Sequence, residues 1–383
     1  MTISRRRWLG LRWGLSSLFA MVIVLWTLTS LAKVMFNGLN LGLDYGLYHP
    51  DGAFYTFRAL LFAGYDKFEA GRIVADWYAT HPTKPSVINP TSLFFENAPT
   101  TWDQYYPRVL YPLLSAMFVK FLGVPGMLVV PAATYLIVLL ITAFLAHKSG
   151  RPGVGLFVIV LVTSSTTISR WMYINATDGL LMLFTGLFVL LMFRQTSLKL
   201  TNAQLVLVIL LIVLSSLTRF SALLWIFMGL IFVVYKRWKE AFCVIVVAVL
   251  SSIPVFLRPF GDDVLPDLNE RSPLEKILLY PISLARISFY EAGQLFVLDR
   301  TFFWTLVVAI TVALFRIKHL SSQFFLASFI SLWITGSLNG VLGVNFRYQL
   351  AVVPFLLWVI VAHFPKVDWR VPNHKNGSAA KAE

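Results

Sequence analysis

The feature that most constrains this chain is a series of long apolar runs separated by short polar segments. A helix that crosses a bilayer needs roughly 20 predominantly apolar residues, and about ten runs approach that length. We therefore predict an all-α polytopic membrane protein with about ten transmembrane helices. The predicted spans are Leu11–Phe36, Met127–Ala146, Val154–Ile168, Gly179–Phe193, Ala203–Leu217, Ala222–Tyr235, Ala241–Leu257, Phe302–Phe315, Phe324–Leu338 and Leu350–Phe364.

Composition excludes the main alternatives to a membrane protein. Of the 383 residues, 58% are hydrophobic and only 13% are charged, whereas a soluble domain carries about 25% charged residues. A soluble enzyme and a disordered chain are therefore excluded. Cys243 is the single cysteine, so an internal disulfide is excluded as well.

The net charge of +14 reports the orientation of the chain in the membrane. With the N-terminus inside, the predicted inner segments collect the excess of Lys and Arg, and the outer segments come close to neutral. The inner segments contain only three acidic residues, Glu240, Asp368 and Glu383. Because cytoplasmic loops are rich in Lys and Arg, we predict an inner (plasma) membrane protein with both termini cytoplasmic. The basic balance does not predict a nucleic-acid partner.

Two segments require a decision. Arg5, Arg6 and Arg7 before the first run resemble an export signal, but that run exceeds the 7–15 apolar residues of a signal peptide. We interpret it as the first span, and cleavage stays the alternative. The stretch Tyr106–Leu122 is apolar but contains prolines, Arg108 and Lys120. We predict that it is a helix lying in the outer membrane interface.

The long loops of the predicted topology all lie on the extracytoplasmic side. We predict a single transmembrane domain over 1–365, with extracytoplasmic loops at 37–106 and 258–300, and a short cytoplasmic tail at 366–383. Loops this long are usually functional or disordered, and their many aromatic residues speak against disorder. We expect the active site on the extracytoplasmic side; a structured cap without chemistry is the alternative.

The first outer loop contains candidate catalytic carboxylates. Asp44 and Asp51 follow the first span, and Asp51 stands between Pro50 and Gly52 in a turn sequence. Such a carboxylate can act as a general base towards a hydroxyl or hold a cation, although Asp-Gly is also an ordinary turn. His49 is a candidate ligand, or a structural histidine. Which of the two aspartates is the base stays open.

The other candidates are charged or polar residues at the outer ends of predicted spans. A single arginine there often only extends its charged group to the membrane–water interface. An aspartate there often only stabilises a helix N-terminus. Several arginines opposite carboxylates favour an anion site beside a base. The candidate substrate-binding residues are Arg108, Asp178, Arg219, Arg347 and Tyr348.

Several motifs are missing from the sequence. It has no Gly-rich phosphate loop, no HExxH or CxxC motif and no His/Cys cluster, so it predicts no metal ligands and requires no cofactor. A divalent cation stays open. No charged residue falls at the centre of a predicted span, which speaks against an ion-coupled transporter.

Short segments along nearly the whole chain resemble the GT-C superfamily of polytopic glycosyltransferases that use lipid-linked sugars. Within this superfamily, the chain most resembles small bacterial members related to polyprenyl-phosphate-mannose-dependent mannosyltransferases. The acidic loop of these enzymes often has an adjacent acidic pair, whereas here the acids are spaced. The segments are Asp51–Gly52 with Tyr55, Arg108–Leu114, Thr177–Leu181, Thr218–Leu224, and Arg347–Leu350 followed by Pro354–Phe355.

The resemblance implies a GT-C-like fold with interfacial helices in the first outer loop. It also implies inverting transfer of a sugar, mannose or another hexose, from a polyprenyl-phosphate carrier to a hydroxyl of a glycan, glycolipid or protein in the cell envelope. Asp51, or Asp44, would be the base, and Arg347 with Arg219 would meet the carrier phosphate. The rival hypotheses are a transporter or flippase for lipid-linked glycans and a non-catalytic membrane subunit of the same fold.

Overall fold

The structure is a computed structural model, and its description is restricted to part of the chain. The described residues are 18, 21, 22, 25, 50–79, 107–168, 174, 176–193, 195, 198–256, 273–338 and 347–363. Within these ranges all regular secondary structure is helical and no strand occurs. The prediction of an all-α protein is therefore confirmed.

The helices follow the predicted apolar runs closely. Two short 3-10 helices, Val124–Leu128 and Arg347–Val352, lead directly into α4 and α13. The α-helices are α1 Pro50–Phe62, α2 Lys67–Ala79, α3 Leu110–Leu122, α4 Val129–Lys148, α5 Pro152–Ser164, α6 Asp178–Met192, α7 Asn202–Ser216, α8 Ala222–Val234, α9 Trp238–Phe256, α10 Pro273–Leu298, α11 Arg300–Phe315, α12 Leu320–Leu338 and α13 Val353–His363.

Local sequence explains where several helices begin and end. Thr201 accepts a hydrogen bond from the Gln204 amide, and the Gln204 side chain accepts one from the Thr201 amide, so a capping box starts α7. The Asp299 carboxylate accepts from the Phe302 amide and starts α11. Gly123, at φ 66°, separates α3 from the 3-10 turn before α4, a conformation that favours glycine.

The core is aromatic and is centred on α13, whose residues from Val353 to Val361 are all buried. Phe188 of α6 packs edge-on against Trp225 of α8, with ring centroids 5.5 Å apart, and against Phe324 of α12 at 5.3 Å. Phe355 of α13 stacks on Phe324 at 6.5 Å. Aromatic pairs in these geometries add to the free energy gained by burial. This cluster joins α6, α8, α12 and α13.

Large apolar side chains also cover the outer surface of the helices. Exposed apolar residues recur on α3 and on most of the helices that follow it. Where such residues form contiguous patches, they mark a surface that contacts a membrane or another protein. Examples are Leu113, Met117, Phe144, Phe157, Val206, Leu210, Leu230, Phe242, Leu250, Trp304 and Val308.

By length and composition, one helical stretch in the described residues is able to cross a membrane. It runs over Val124–Lys148, has 25 residues and reaches a mean hydropathy of 2.5. Eight shorter apolar stretches in the described ranges have 10–17 residues and reach less than the roughly 30 Å of a bilayer core at about 1.5 Å per residue. The prediction of about ten spans stays a prediction.

The segment 258–300, which the sequence suggested as a long loop, contains the 26-residue helix α10. Tyr280 and Ser288, eight residues apart on α10, contact neighbouring residues of α12: the Tyr280 hydroxyl lies 3.5 Å from the Ile334 carbonyl oxygen, and Trp333 Nε1 donates to Ser288 Oγ at 2.5 Å. These two contacts pack α10 against the C-terminal part of α12.

Candidate functional site

The candidate site starts from one face of α1. Asp51 lies in the first turn of this helix and is half-buried, where a carboxylate also interacts favourably with the helix dipole. Tyr55 follows four residues later, so it lies on the same face one turn further along. Tyr55 is fully buried, and its hydroxyl accepts a hydrogen bond of 3.0 Å from Arg108 Nη1. The predicted substrate-binding Arg108 is thereby bonded to a tyrosine that lies one helical turn from the predicted base.

The start of α3 is fixed by a second tyrosine. Tyr111 is fully buried, packs edge-on against Tyr55 with ring centroids 5.4 Å apart, and donates to the Met127 carbonyl oxygen at 2.8 Å. Burial, and secondarily the nearby Tyr55, raise the pKa of Tyr111 well above its ordinary value. Its hydroxyl therefore stays protonated and remains a donor. This bond holds the α3 start, and with it Arg108, beside the start of α4.

A backbone contact joins this corner to the turn between α7 and α8. The Leu110 amide donates to the Leu217 carbonyl oxygen at 3.1 Å. Leu217 precedes Arg219 by two residues, and Arg219 forms an ion pair with Asp178 at the start of α6. This contact places the start of α3, which follows Arg108, beside the turn that contains Arg219.

The Asp178–Arg219 pair is almost entirely buried, with 3% and 5% of the two residues exposed. A buried guanidinium and carboxylate need each other, because leaving either charge unpaired in a low-dielectric interior is costly. Asp178 also stands in the first turn of α6, where the helix dipole favours its negative charge. The geometry fits an internal clamp between α6 and the α7–α8 turn better than a free anion ligand.

Two hydroxyls beside this pair were not singled out by the sequence. Thr177 and Ser221 are buried, and their side-chain oxygens have no hydrogen-bond partner among the described residues. Each lies within two residues of one member of the pair. Buried hydroxyls usually find a partner, so these two are exceptions to the usual pattern. Only the sequence pattern Thr177–Asp178 and Arg219–Phe220–Ser221 could have pointed to them.

The remaining predicted residues are described only in part. Arg347 and Tyr348 begin the 3-10 turn that leads into α13, and this turn packs against α6 and α12. The structure describes their backbone alone. Asp44 and His49 lie outside the described residues. In the described ranges, no group of three or more His, Cys, Asp or Glu residues is arranged to hold a metal ion.

Comparison with known proteins gives no match for this chain. No family model matches the chain, and no curated protein and no solved structure matches it.

Proposed function

We propose that the protein is a membrane glycosyltransferase that moves a sugar from a polyprenyl-phosphate carrier to an acceptor hydroxyl on the extracytoplasmic side. The observation that carries the proposal is the hydrogen bond from Arg108 to Tyr55, which lies one helical turn after Asp51 on α1. These elements supply a half-buried carboxylate and an arginine, the two kinds of group that proton removal and phosphate departure require.

Membrane location is supported by the outward apolar faces of the bundle helices and of α3. A helix with one face packed on the protein and apolar residues on its other face has no side suited to water. α3 is such a helix: Tyr111 and Val119 are buried, whereas Met117 and Phe121 are exposed. This pattern suits the interfacial position expected from the sequence. A lipid-linked donor reaches a site at this level by lateral diffusion.

In the proposed reaction Asp51 accepts the proton of the acceptor hydroxyl. The acceptor oxygen attacks the anomeric carbon of the sugar as the bond from that carbon to the phosphate oxygen breaks. The configuration at the anomeric carbon is inverted, and polyprenyl phosphate leaves with the added negative charge. Arg347 would stabilise that charge, because a guanidinium fits two phosphate oxygens. Arg108 would orient Tyr55 next to the base.

We assign Asp178 and Arg219 a positioning role within this proposal. Their charges neutralise each other in a buried place, so Arg219 has little positive charge left to offer a phosphate. The pair holds the α7–α8 turn, and that turn holds Leu110 and the start of α3. Arg108 therefore depends on the pair for its position.

The test is sugar transfer in isolated membranes with a radiolabelled polyprenyl-phosphate hexose. Asp51→Asn keeps the size of the side chain and removes the base, so we expect a loss of at least about 10²-fold in turnover. Asp76→Asn is the matched control, because Asp76 is an exposed aspartate on α2 of the same predicted loop. Wild-type turnover in Asp51→Asn, with activity in the parent protein, would transfer the role to Asp44. No transfer by the parent protein with any hexose would favour the flippase or the non-catalytic subunit.

A further inference from the structure

A second polar cluster lies at the other end of α4 from the candidate site. Tyr111 and Met127 place the candidate site near the start of α4, and α4 has 20 residues, a length of about 30 Å. At its far end three segments meet: the α4–α5 turn, the α11–α12 turn and the end of α13. We call this the inner cluster; its members are Arg151, Arg316, His319, Ser321, Ser322 and His363.

Hydrogen bonds and ring contacts hold the α11–α12 turn against the end of α13. His363 Nε2 lies 3.3 Å from Ser321 Oγ and 3.2 Å from Ser322 Oγ. The His319 ring packs edge-on against the His363 ring with centroids 4.9 Å apart. Arg316 and His319 are exposed, and the His319 amide donates to the Arg316 carbonyl oxygen at 2.9 Å, so Arg316 belongs to the same turn.

Arg151 comes to the same place from the α4–α5 turn. Its Nη1 donates to the Val361 carbonyl oxygen near the end of α13, while its Nε has no hydrogen-bond partner among the described residues. An arginine whose donors are only partly used retains capacity for an anion, and phosphate oxygens match its fork of N–H groups. The side chain as a whole is partly exposed.

The inner cluster has cations and donors but no counter-charge of its own. The segments 147–151, 316–322 and 361–363 contain no Asp or Glu. α5 and α12 also begin here, so their N-terminal amides and the positive ends of their dipoles add to the potential. α5 begins without a side-chain cap. The enrichment of cytoplasmic loops in basic residues explains isolated cations; it does not explain their convergence with two helix N-termini.

We propose that the inner cluster is a binding site for a phosphate group, with Arg151 and Arg316 as its charged ligands. In the predicted orientation the cluster lies at the cytoplasmic surface, where anionic phospholipid headgroups carry this group. The site does not take part in the proposed sugar transfer, so its test is independent of that proposal.

The experiment uses the full chain, reconstituted in nanodiscs that contain phosphatidylglycerol and phosphatidylcholine in equal amounts. Native mass spectrometry after release from the nanodiscs measures how many lipids of each kind are retained, with and without millimolar inorganic phosphate. The variants are Arg316→Gln on the exposed turn and Arg151→Gln/Arg316→Gln. The matched control is Lys199→Gln/Lys236→Gln, which also removes two cations from predicted cytoplasmic turns.

We expect the double variant to lower the affinity for phosphatidylglycerol by about tenfold or more and the single variant by less, with phosphatidylcholine unchanged. Retention that falls on addition of inorganic phosphate assigns the site to phosphate in general, and retention that persists assigns it to the lipid headgroup; either result supports the site. An equal loss in the lysine control, or full retention in both arginine variants, overturns it. If Arg151→Gln/Arg316→Gln does not fold, Arg316→Gln alone decides between these outcomes.

Discussion

The buried Asp178–Arg219 pair gives the most sharply testable consequence of this fold. In Asp178→Asn, the Arg219 guanidinium, in a residue only 5% exposed, loses the carboxylate that balances it. In Arg219→Gln the Asp178 carboxylate, in a residue 3% exposed, is left without its cation. Breaking a buried pair from one side costs about 3–5 kcal/mol, because the surviving charge stays buried. Most domains have a free energy of unfolding of about 5–15 kcal/mol, so each single variant should be severely destabilised.

The double variant Asp178→Asn/Arg219→Gln removes both charges and keeps two side chains that can hydrogen-bond each other. Replacing a buried pair by neutral groups is often close to neutral for stability. We therefore expect the double variant to recover most of the loss, which makes the coupling free energy between the two sites at least as large as one single loss, about 3 kcal/mol or more. Denaturant unfolding of the purified protein in micelles measures all four members of the cycle.

Activity separates a positioning pair from a phosphate ligand. If Arg219 only holds the α7–α8 turn, the double variant should fold and transfer sugar within about tenfold of the parent. A stable but inactive double variant would instead place Arg219 on the donor phosphate. Single variants that lose less than about 1 kcal/mol, or a double variant whose loss equals the sum of both singles, would refute the clamp itself.

Three further predictions follow from the charges and caps of the structure. In a Cys243→Ser background, Glu69→Cys should react with a membrane-impermeant thiol reagent in spheroplasts and Lys318→Cys should not; reversed labelling would contradict the orientation. Arg347→Lys should lose much of the transfer activity and Arg347→Ala nearly all, whereas full activity in the lysine variant would indicate that Arg347 only reaches for the interface. Asp299→Ala removes the cap of α11 together with the hydrogen bond to Ser165, which follows α5. The free energy of unfolding should therefore fall by about 2 kcal/mol or more, and no change is expected if water replaces those bonds.

Much of the helical order was predictable because apolar runs are a strong local signal. The predicted runs at 203–217 and 222–235 correspond to α7 and α8 within one or two residues, since polar residues and caps mark both ends. The sequence did not predict α10, because its acidic and basic residues interrupt the apolar pattern. Its apolar face becomes visible only when residues such as Ile282 and Phe289 are seen exposed together on the helix.

The members of the candidate site were predictable as residue types, but their pairing was not. The sequence places Asp178 and Arg219 at ends of different helices, 41 residues apart, and offers each a local reason to be there: a helix N-terminus for the aspartate and the interface for the arginine. Only the packing of α6 beside the α7–α8 turn joins them. The same holds for Tyr55 and Arg108, which are 53 residues apart.

These two long-range pairs also indicate which arginines of the site remain available to bind a substrate. In the site, the arginines described with their side chains are engaged by protein partners: Arg219 by a carboxylate and Arg108 by a tyrosine hydroxyl. An arginine held in this way fixes helices at low cost in unpaired charge, but it has less capacity left for a substrate. Within the proposed function we therefore assign the donor phosphate to Arg347, at the start of the turn before α13. That turn packs on α6, the helix that Asp178 begins, so the clamp and the proposed phosphate ligand share one support.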